Sequence, residues 1–313
     1  MRLLTFSAGG QSGVGLEVAG YVVDLAAGFA VLNNRAPTGL PTPPKDMRSF
    51  LEAGAPALDA AALVNDFITD SLAHGRKVGF EGQPRTLYEK REVTILAPIA
   101  NPHKMLFLGL NYADHAAETG KAITSVPTIF AKFDNAIIGP GEPIVLPKAA
   151  PDHVDLEAEL AVVIGRPAKH VAIEDAFSYV AGYTVINDVS ARDLQGQQTQ
   201  WVMGKTPDTF APMGPHIVTA EEVPDPHSLA VRSWLNGQLM QDSNTSNLIF
   251  NIPFLVHHIS QFVTLVPGDI IATGTPPGVG YVRKPPIYLR PGDVVRVEVE
   301  GVGVLENPVV AER

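Results

Sequence analysis

The stretch Leu156-Glu157-Ala158-Glu159-Leu160-Ala161-Val162-Val163-Ile164 carries the first decision about this chain. It is short, apolar and rich in branched residues, and Gly165-Arg166-Pro167 stops it, which predicts a strand over 156–164. On a strand, residues two apart share a face at roughly 7 Å, so Glu157 and Glu159 project side by side from an otherwise apolar element. At an effective dielectric near 20 their mutual repulsion costs about 2 kcal/mol before any desolvation. A bound cation removes that cost. A strand face looking out at water removes it as well, and on these residues alone both readings stand.

A third carboxylate lies nearby in sequence. Val180-Ala-Gly-Tyr-Thr-Val-Ile-Asn187 reads as a second strand, with Asp188 at its far end. Two glutamates and an aspartate in a chain without cysteine make an all-oxygen donor set. Such a set suits Mg²⁺ or Mn²⁺, with Ca²⁺ as a third candidate, and suits Zn²⁺ poorly.

Outward from this centre, strands are expected over 105–109, 128–132, 183–187, 229–235, 269–272 and 294–299, and helices over 112–119, 173–177 and 250–261. Residues 2–25 read as a β-meander with glycine-containing turns. Residues 34–45 read as a proline-rich loop, 49–72 as an amphipathic helix and 75–85 as a turn-rich stretch. Leu96-Ala-Pro-Ile-Ala-Asn-Pro102 marks the expected boundary between a small N-terminal domain (1–97), structural or interfacial in role, and a larger domain (98–313).

The 313 residues are enough for a large core, and 28 glycines and 27 prolines favour a turn-rich β body over a helical bundle. A formal net charge of −10 without a basic stripe argues against nucleic acid or an anionic membrane as partner. The start breaks into glycine too early for a secretory core and no apolar run is long enough to span a bilayer, so a cytoplasmic location is expected.

Three further groups could carry chemistry. In Gly109-Leu-Asn-Tyr112-Ala-Asp-His115-Ala-Ala-Glu118-Thr-Gly120, a short helix opened by Asn111 or Tyr112 places His115 and Glu118 at i and i+3. A carboxylate beside an imidazole fixes its tautomer and raises its basicity, as a general base needs, and the flanking glycines would let the segment hinge as a lid. An incidental helical pair is the alternative. Arg192 and Lys205 are cations close in sequence to Asp188. They can bind an anionic substrate beside a metal, or simply pair with Asp193 and Asp208. Thr273-Gly-Thr275-Pro-Pro-Gly-Val-Gly280 is a tight loop whose backbone N–H groups could hold an anion, or a structural turn.

Taken together, these segments closely resemble the fumarylacetoacetate hydrolase family. The matching features are Gly109-x-Asn-Tyr-x-x-His115-x-x-Glu118, Asp155-x-Glu-x-Glu-Leu160, Ala181-Gly-Tyr-Thr184, Asn187-Asp188-x-Ser-x-Arg-Asp193, Gln200-Trp201, Gly204-Lys205, Gln241-Asp-Ser-Asn-Thr-Ser246 and Thr273-Gly-Thr-Pro-x-Gly-Val-Gly280. They occur in family order over roughly two-thirds of the chain. Thr206-Pro207, where many relatives have Ser-Phe, is a local departure beside Lys205.

The resemblance implies an α+β, β-rich fold, a mixed β-sheet roll with a small N-terminal α/β domain, and a homodimer. It implies metal ligands at Glu157, Glu159 and Asp188, and catalytic groups at His115, Glu118 and Lys205. It implies substrate contacts at Tyr112, Arg192, Gln195 and Thr275. The activity it implies is divalent-metal-dependent hydrolysis of a C–C bond in an acylpyruvate or related 1,3-diketo acid, a small anionic substrate. The same framework serves hydratases, decarboxylases and isomerases of 2-oxo acids, and a non-catalytic, metal-stabilised binding protein is the reading from a different class.

Overall fold

In the computed structural model, which describes residues 1–35, 44–78, 84–197 and 199–313, the two-glutamate stretch lies at the centre of the molecule. Strand Ala158–Ile164 is buried along its whole length. Leu160, Val162 and Ile164 enter one hydrophobic cluster, Ala161 and Val163 another. A strand with a core on each face needs apolar side chains on both, which is why residues 160–164 do not alternate.

Ala158–Ile164 runs antiparallel to Val180–Asn187 on one side and to Ile270–Ala272 on the other, within a twelve-stranded sheet. Beyond Ile270–Ala272 come Met105–Gly109, in parallel, and the edge strand Thr128–Lys132. In the other direction the order is Ala211–Thr219, Arg2–Ala8, Gln11–Val18, Tyr21–Asp24 and Leu87–Glu89. The first strands of the chain therefore continue the sheet that carries the acids, with Arg2 opposite Val218 and Leu3 opposite Ile217.

Helices Leu25–Arg35 and Ala55–Ala73 cover one face, where Phe29, Val64 and Ile68 share a core with Phe107, Ala161, Val163 and Met213. A five-stranded sheet, in the order Gln238–Asn244, Ala230–Leu235, Val294–Val299, Gly303–Ala311 and Ile144–Leu146, covers the other face. Its Val231, Val297 and Leu305, with Leu255 of helix Ile252–Phe262, meet Leu160 and Val162. The result is the expected α+β, β-rich roll with a smaller N-terminal α/β region. No helix among the described residues is long and apolar enough to cross a membrane.

Several boundaries differ from the sequence reading for identifiable reasons. The helix expected over 49–72 is two, Met47–Glu52 and Ala55–Ala73. They part at Gly54, whose φ of 68° is a left-handed conformation that breaks the α ladder. Helix Leu25–Arg35 follows a strand directly, and its start signal is Asp24, which accepts the Ala27 N–H at 3.1 Å. Strand Ala211–Thr219 contains Pro212, Gly214 and Pro215, which read as breakers. The sheet accommodates them where its pairing with Val180–Asn187 shifts register between Tyr183 and Val185. The proline-rich loop expected over 34–45 lies largely outside the described residues, and so do residues 79–83 of the turn-rich stretch expected over 75–85.

Candidate active site

The acid cluster forms where the central ladder ends. Ala158 lies opposite Asn187 and Glu159 opposite Ile186. One step further, the Asp188 N–H donates to the Glu157 carbonyl at 2.8 Å, so Glu157 and Asp188 are cross-strand neighbours. Here side chains replace strand pairing. The Glu157 N–H donates to Asn187 Oδ1 and the Ala158 N–H to Gln241 Oε1, both at 2.9 Å. Gln241 also donates from Nε2 to Thr275 Oγ1 and to the Pro276 carbonyl, at 2.8 Å each, tying the acid strand to the Thr273–Gly280 loop.

Glu157, Glu159 and Asp188 each offer a carboxylate oxygen, and the three oxygens lie within 4.8 Å of one another. Glu159 and Asp188 are 0% exposed and Glu157 6%, which removes the solvated-face alternative. Three cations enter the same space. Lys205 Nζ is 2.8 Å from Glu157 Oε2 and 2.6 Å from Asp188 Oδ2. Lys132 Nζ is 2.5 Å from Asp188 Oδ1 and donates to the Val189 and Phe210 carbonyls. Arg192 Nη1 is 2.6 Å from Glu157 Oε1, and its Nε and Nη2 both donate to Asp155 Oδ2, at 3.0 and 2.8 Å.

These contacts separate the three acids. Burial alone would raise the Glu157 carboxyl, but Arg192 and Lys205 hold it well below the usual range. Glu159 has no cation in contact among the described residues; burial, then the charges of Asp188 and Glu157, push it well above the usual range. Burial lowers Lys132 to about 8 against the pull of Asp188. Glu159 Oε2 accepts the Gly274 N–H at 2.8 Å, while its buried Oε1 has no partner among the described residues. A buried, unpartnered carboxylate oxygen inside a three-carboxylate, cysteine-free cluster is what a hard divalent cation satisfies. The residues present fit such an ion.

The opposite wall is helix Ala113–Thr119, entered through Leu110 (φ 54°) and left through Gly120 (φ 64°). His115 Nδ1 lies 2.8 Å from Glu118 Oε2, and Glu118 Oε1 accepts the Gly278 N–H at 2.9 Å. The space between wall and acids is a cavity of 270 Å³, into which His115, Glu157, Arg192, Gln195, Lys205 and Thr275 all face. Phe130 and Trp201, in edge contact at 5.3 Å, and Tyr281, 4.3 Å under the Arg192 guanidinium, complete it.

Glu118 stands behind His115, and the buried Glu159 and Asp188 lie beside Glu157. Tyr112 does not line the cavity: it is fully buried, its hydroxyl has no partner among the described residues, and burial followed by the charges of Glu159 and Asp114 raises its pKa. Arg192 is largely committed to the protein itself, since Gln195 Oε1 takes a further Nη1 bond at 3.1 Å. The Thr275 hydroxyl is likewise engaged, donating to the Ala158 carbonyl at 3.0 Å.

Sequence reasoning assigned no role to Lys132, Asp155 or Gln241. Lys132 had a parity signal. It is two residues from Phe130 on a strand and is the single charge in an otherwise apolar run. Asp155 has the same offset from Glu157. It is a hub, accepting the Gly280 and Tyr281 N–H groups at 2.8 and 3.1 Å as well as Arg192.

The family model described as Fumarylacetoacetate (FAA) hydrolase C-terminal matches residues 104–310. Mitochondrial oxaloacetate tautomerases of Xenopus laevis and Bos taurus are 42% and 46% identical to this chain over 316 residues. These matches cover 99% of this chain and 90% and 92% of those proteins. Among solved structures, a 5-carboxymethyl-2-hydroxymuconate delta-isomerase from Mycobacterium smegmatis is 35% identical with a TM-score of 0.72. A fumarylacetoacetate hydrolase from Exiguobacterium antarcticum is 33% identical with a TM-score of 0.80, and each of these two matches covers 100% of both chains. The mitochondrial relatives overturn the cytoplasmic expectation. It rested on tests for a secretory core and a membrane span, and those tests do not see addresses of other kinds.

Proposed function

This chain belongs to the fumarylacetoacetate hydrolase family, and we propose that within it the chain is a divalent-metal-dependent tautomerase. Its substrate would be a small 2-oxo dicarboxylate of the oxaloacetate type, interconverted between keto and enol forms. The observation that carries this reading over C–C hydrolysis is the match, along 99% of the chain, to proteins named oxaloacetate tautomerases. The 270 Å³ cavity supports it, being small for a ligand pocket and suited to a short diacid.

The chemistry is a proton transfer. The C3–H bond breaks, its electron pair becomes the C2=C3 bond, and the C2 carbonyl oxygen gains a proton. With Nδ1 donating to Glu118, His115 presents a basic Nε2, the group that takes the C3 proton and can return it. Gly278 fixes Glu118 from behind and so holds the imidazole plane. Lys205 offers an ammonium to the oxygen on which negative charge develops. A divalent cation held by Glu157, Glu159 and Asp188 would supply Lewis-acid polarisation of the 2-oxo group. Phe130, Trp201 and Tyr281 make walls that limit water around the reacting carbons.

C–C hydrolysis of an acylpyruvate is the second reading, favoured by the 33% identical fumarylacetoacetate hydrolase structure. It would use the same His115–Glu118 pair to activate water. One experiment separates the two. Enol oxaloacetate and a panel of acylpyruvates are followed by ultraviolet absorbance, with pyruvate measured in parallel, in Mg²⁺, Mn²⁺ or EDTA. Metal-dependent loss of the enol absorbance without pyruvate is the expected result. Pyruvate released from an acylpyruvate would replace tautomerisation with hydrolysis, and pyruvate from oxaloacetate would replace it with decarboxylation.

A further inference from the structure

We propose that Asp114 is a positioning residue that latches helix Ala113–Thr119 over the cavity and so sets where His115 points. The role rests on the reading of His115 as the proton carrier. Asp114 does not line the cavity. It reaches away from it, toward strand Gln238–Asn244 of the second sheet and the turn that follows.

Its Oδ2 accepts the Ser243 hydroxyl at 2.5 Å and the Asn247 Nδ2 at 2.9 Å, and Asn247 Nδ2 and Ser243 Oγ are themselves 3.0 Å apart. The three side chains form a closed triangle. Asp114 Oδ1 accepts the His115 N–H at 3.0 Å, so the same carboxylate grips the backbone of the residue it positions. No cation pairs with Asp114 among the described residues. Its charge is met by one O–H, two N–H groups and the first turn of its own helix.

The surroundings divide this segment into a fixed root and a hinged part. Asn111 is the root. Its Nδ2 donates to the Phe250 and Thr273 carbonyls at 3.0 and 2.8 Å, and its Oδ1 accepts the Phe250 N–H at 2.8 Å. The helix beyond it is seven residues, too short to be stable alone. Leu110 and Gly120, both at positive φ, flank the segment. At its far end the helix is tied through Glu118 to the Gly278 N–H. That second tie runs through a member of the dyad itself. The Asp114–Ser243–Asn247 triangle uses neither dyad side chain and meets the dyad only at the His115 N–H, which makes it the catch.

The test compares Asp114→Ala, Asp114→Asn, Ser243→Ala and Asn247→Ala with the parent protein. His115 is labelled with diethyl pyrocarbonate and read by peptide mass spectrometry, with the half-exposed His103 as internal reference. Mn²⁺ affinity, melting temperature and turnover are measured beside it. Opening the latch is expected to speed His115 labelling by about ten- to a hundred-fold, on the scale of one or two lost charge-assisted bonds. Turnover should fall with kcat carrying the loss, while Mn²⁺ affinity and melting temperature hold. Asp114→Asn, which keeps an acceptor, should recover part of both. If Asp114→Ala does not fold, Ser243→Ala and Asn247→Ala carry the same prediction. Unchanged His115 labelling in the folded variants overturns the latch. A parent protein that does not turn over enol oxaloacetate overturns the functional reading instead, and the labelling still decides the latch.

Discussion

The floor and the roof of the cavity are built by different means. The floor, Glu157, Glu159 and Asp188, stands at the adjoining ends of strands Ala158–Ile164 and Val180–Asn187, which pair with each other and with further strands at the centre of a twelve-stranded sheet. The roof, His115 and Glu118, rides on a seven-residue helix held by side-chain contacts at Asp114 and Glu118 and by one buried root, Asn111. A divalent ion demands fixed distances and gains from rigidity. A proton carrier must admit a substrate and then close on it, which a weakly tethered element does at small energetic cost. Changes in the floor should therefore remove the metal, and changes in the roof should remove rate alone.

The strongest challenge to that division is Glu159→Gln. It deletes the charge of the acid with the unpartnered oxygen, and metal binding and turnover should be lost together while the fold holds, as followed by Mn²⁺ titration and circular dichroism. Unaltered Mn²⁺ affinity would break the assignment of the floor. His115→Ala is the matching change in the roof. Turnover should fall by about 10²–10⁴-fold with Mn²⁺ affinity intact, and a parallel loss of metal would mean that roof and floor are one unit.

Lys132→Met sharpens the comparison from beneath. It leaves buried Asp188 without one of its two cations, and breaking such a pair costs about 3–5 kcal/mol. Melting temperature should drop more than in either previous variant. The smallest effect lies outside both regions. Glu17 on strand Gln11–Val18 is held down to about 2 by His216 and Lys90, with burial opposing them. Its pKa is lower in the folded than in the unfolded chain. Its contribution is therefore fully present above about 4.5, the value for an unperturbed glutamate, and is lost as pH falls from there toward 2. Melting temperature should decline over that interval, and Glu17→Gln should flatten the decline.

What the sequence made legible follows the range of the interactions involved. Glu157 and Glu159 were readable because i,i+2 parity is a local property, and His115 and Glu118 because i,i+3 is another. Lys132 was not assigned a role, since its partner Asp188 is distant in sequence and only the fold brings them together. Gln241 lay inside a recognisable motif, but its work at the frayed start of strand Ala158–Ile164 depends on a register no local pattern reveals. Tyr112 was expected among the substrate contacts. Its ring lies in the core, two residues after left-handed Leu110. The strands Ala211–Thr219 and Gly303–Ala311 went unseen because proline, glycine and acidic residues sit inside them, and pairing on neighbouring strands outweighs local propensity.

The pairing of Leu3 with Ile217 also bears on how the protein is made. On the ribosome, the first strand emerges more than two hundred residues before the strand it lies against. Until then the Arg2–Ala8 edge of its hairpin with Gln11–Val18 is only partly covered: Thr94–Leu96 pairs with Thr5, Phe6 and Ser7, while Arg2 and Leu3 wait for Ala211–Thr219. The sheet that supports the acids therefore closes at this seam only after residue 217 has left the ribosome, late in synthesis.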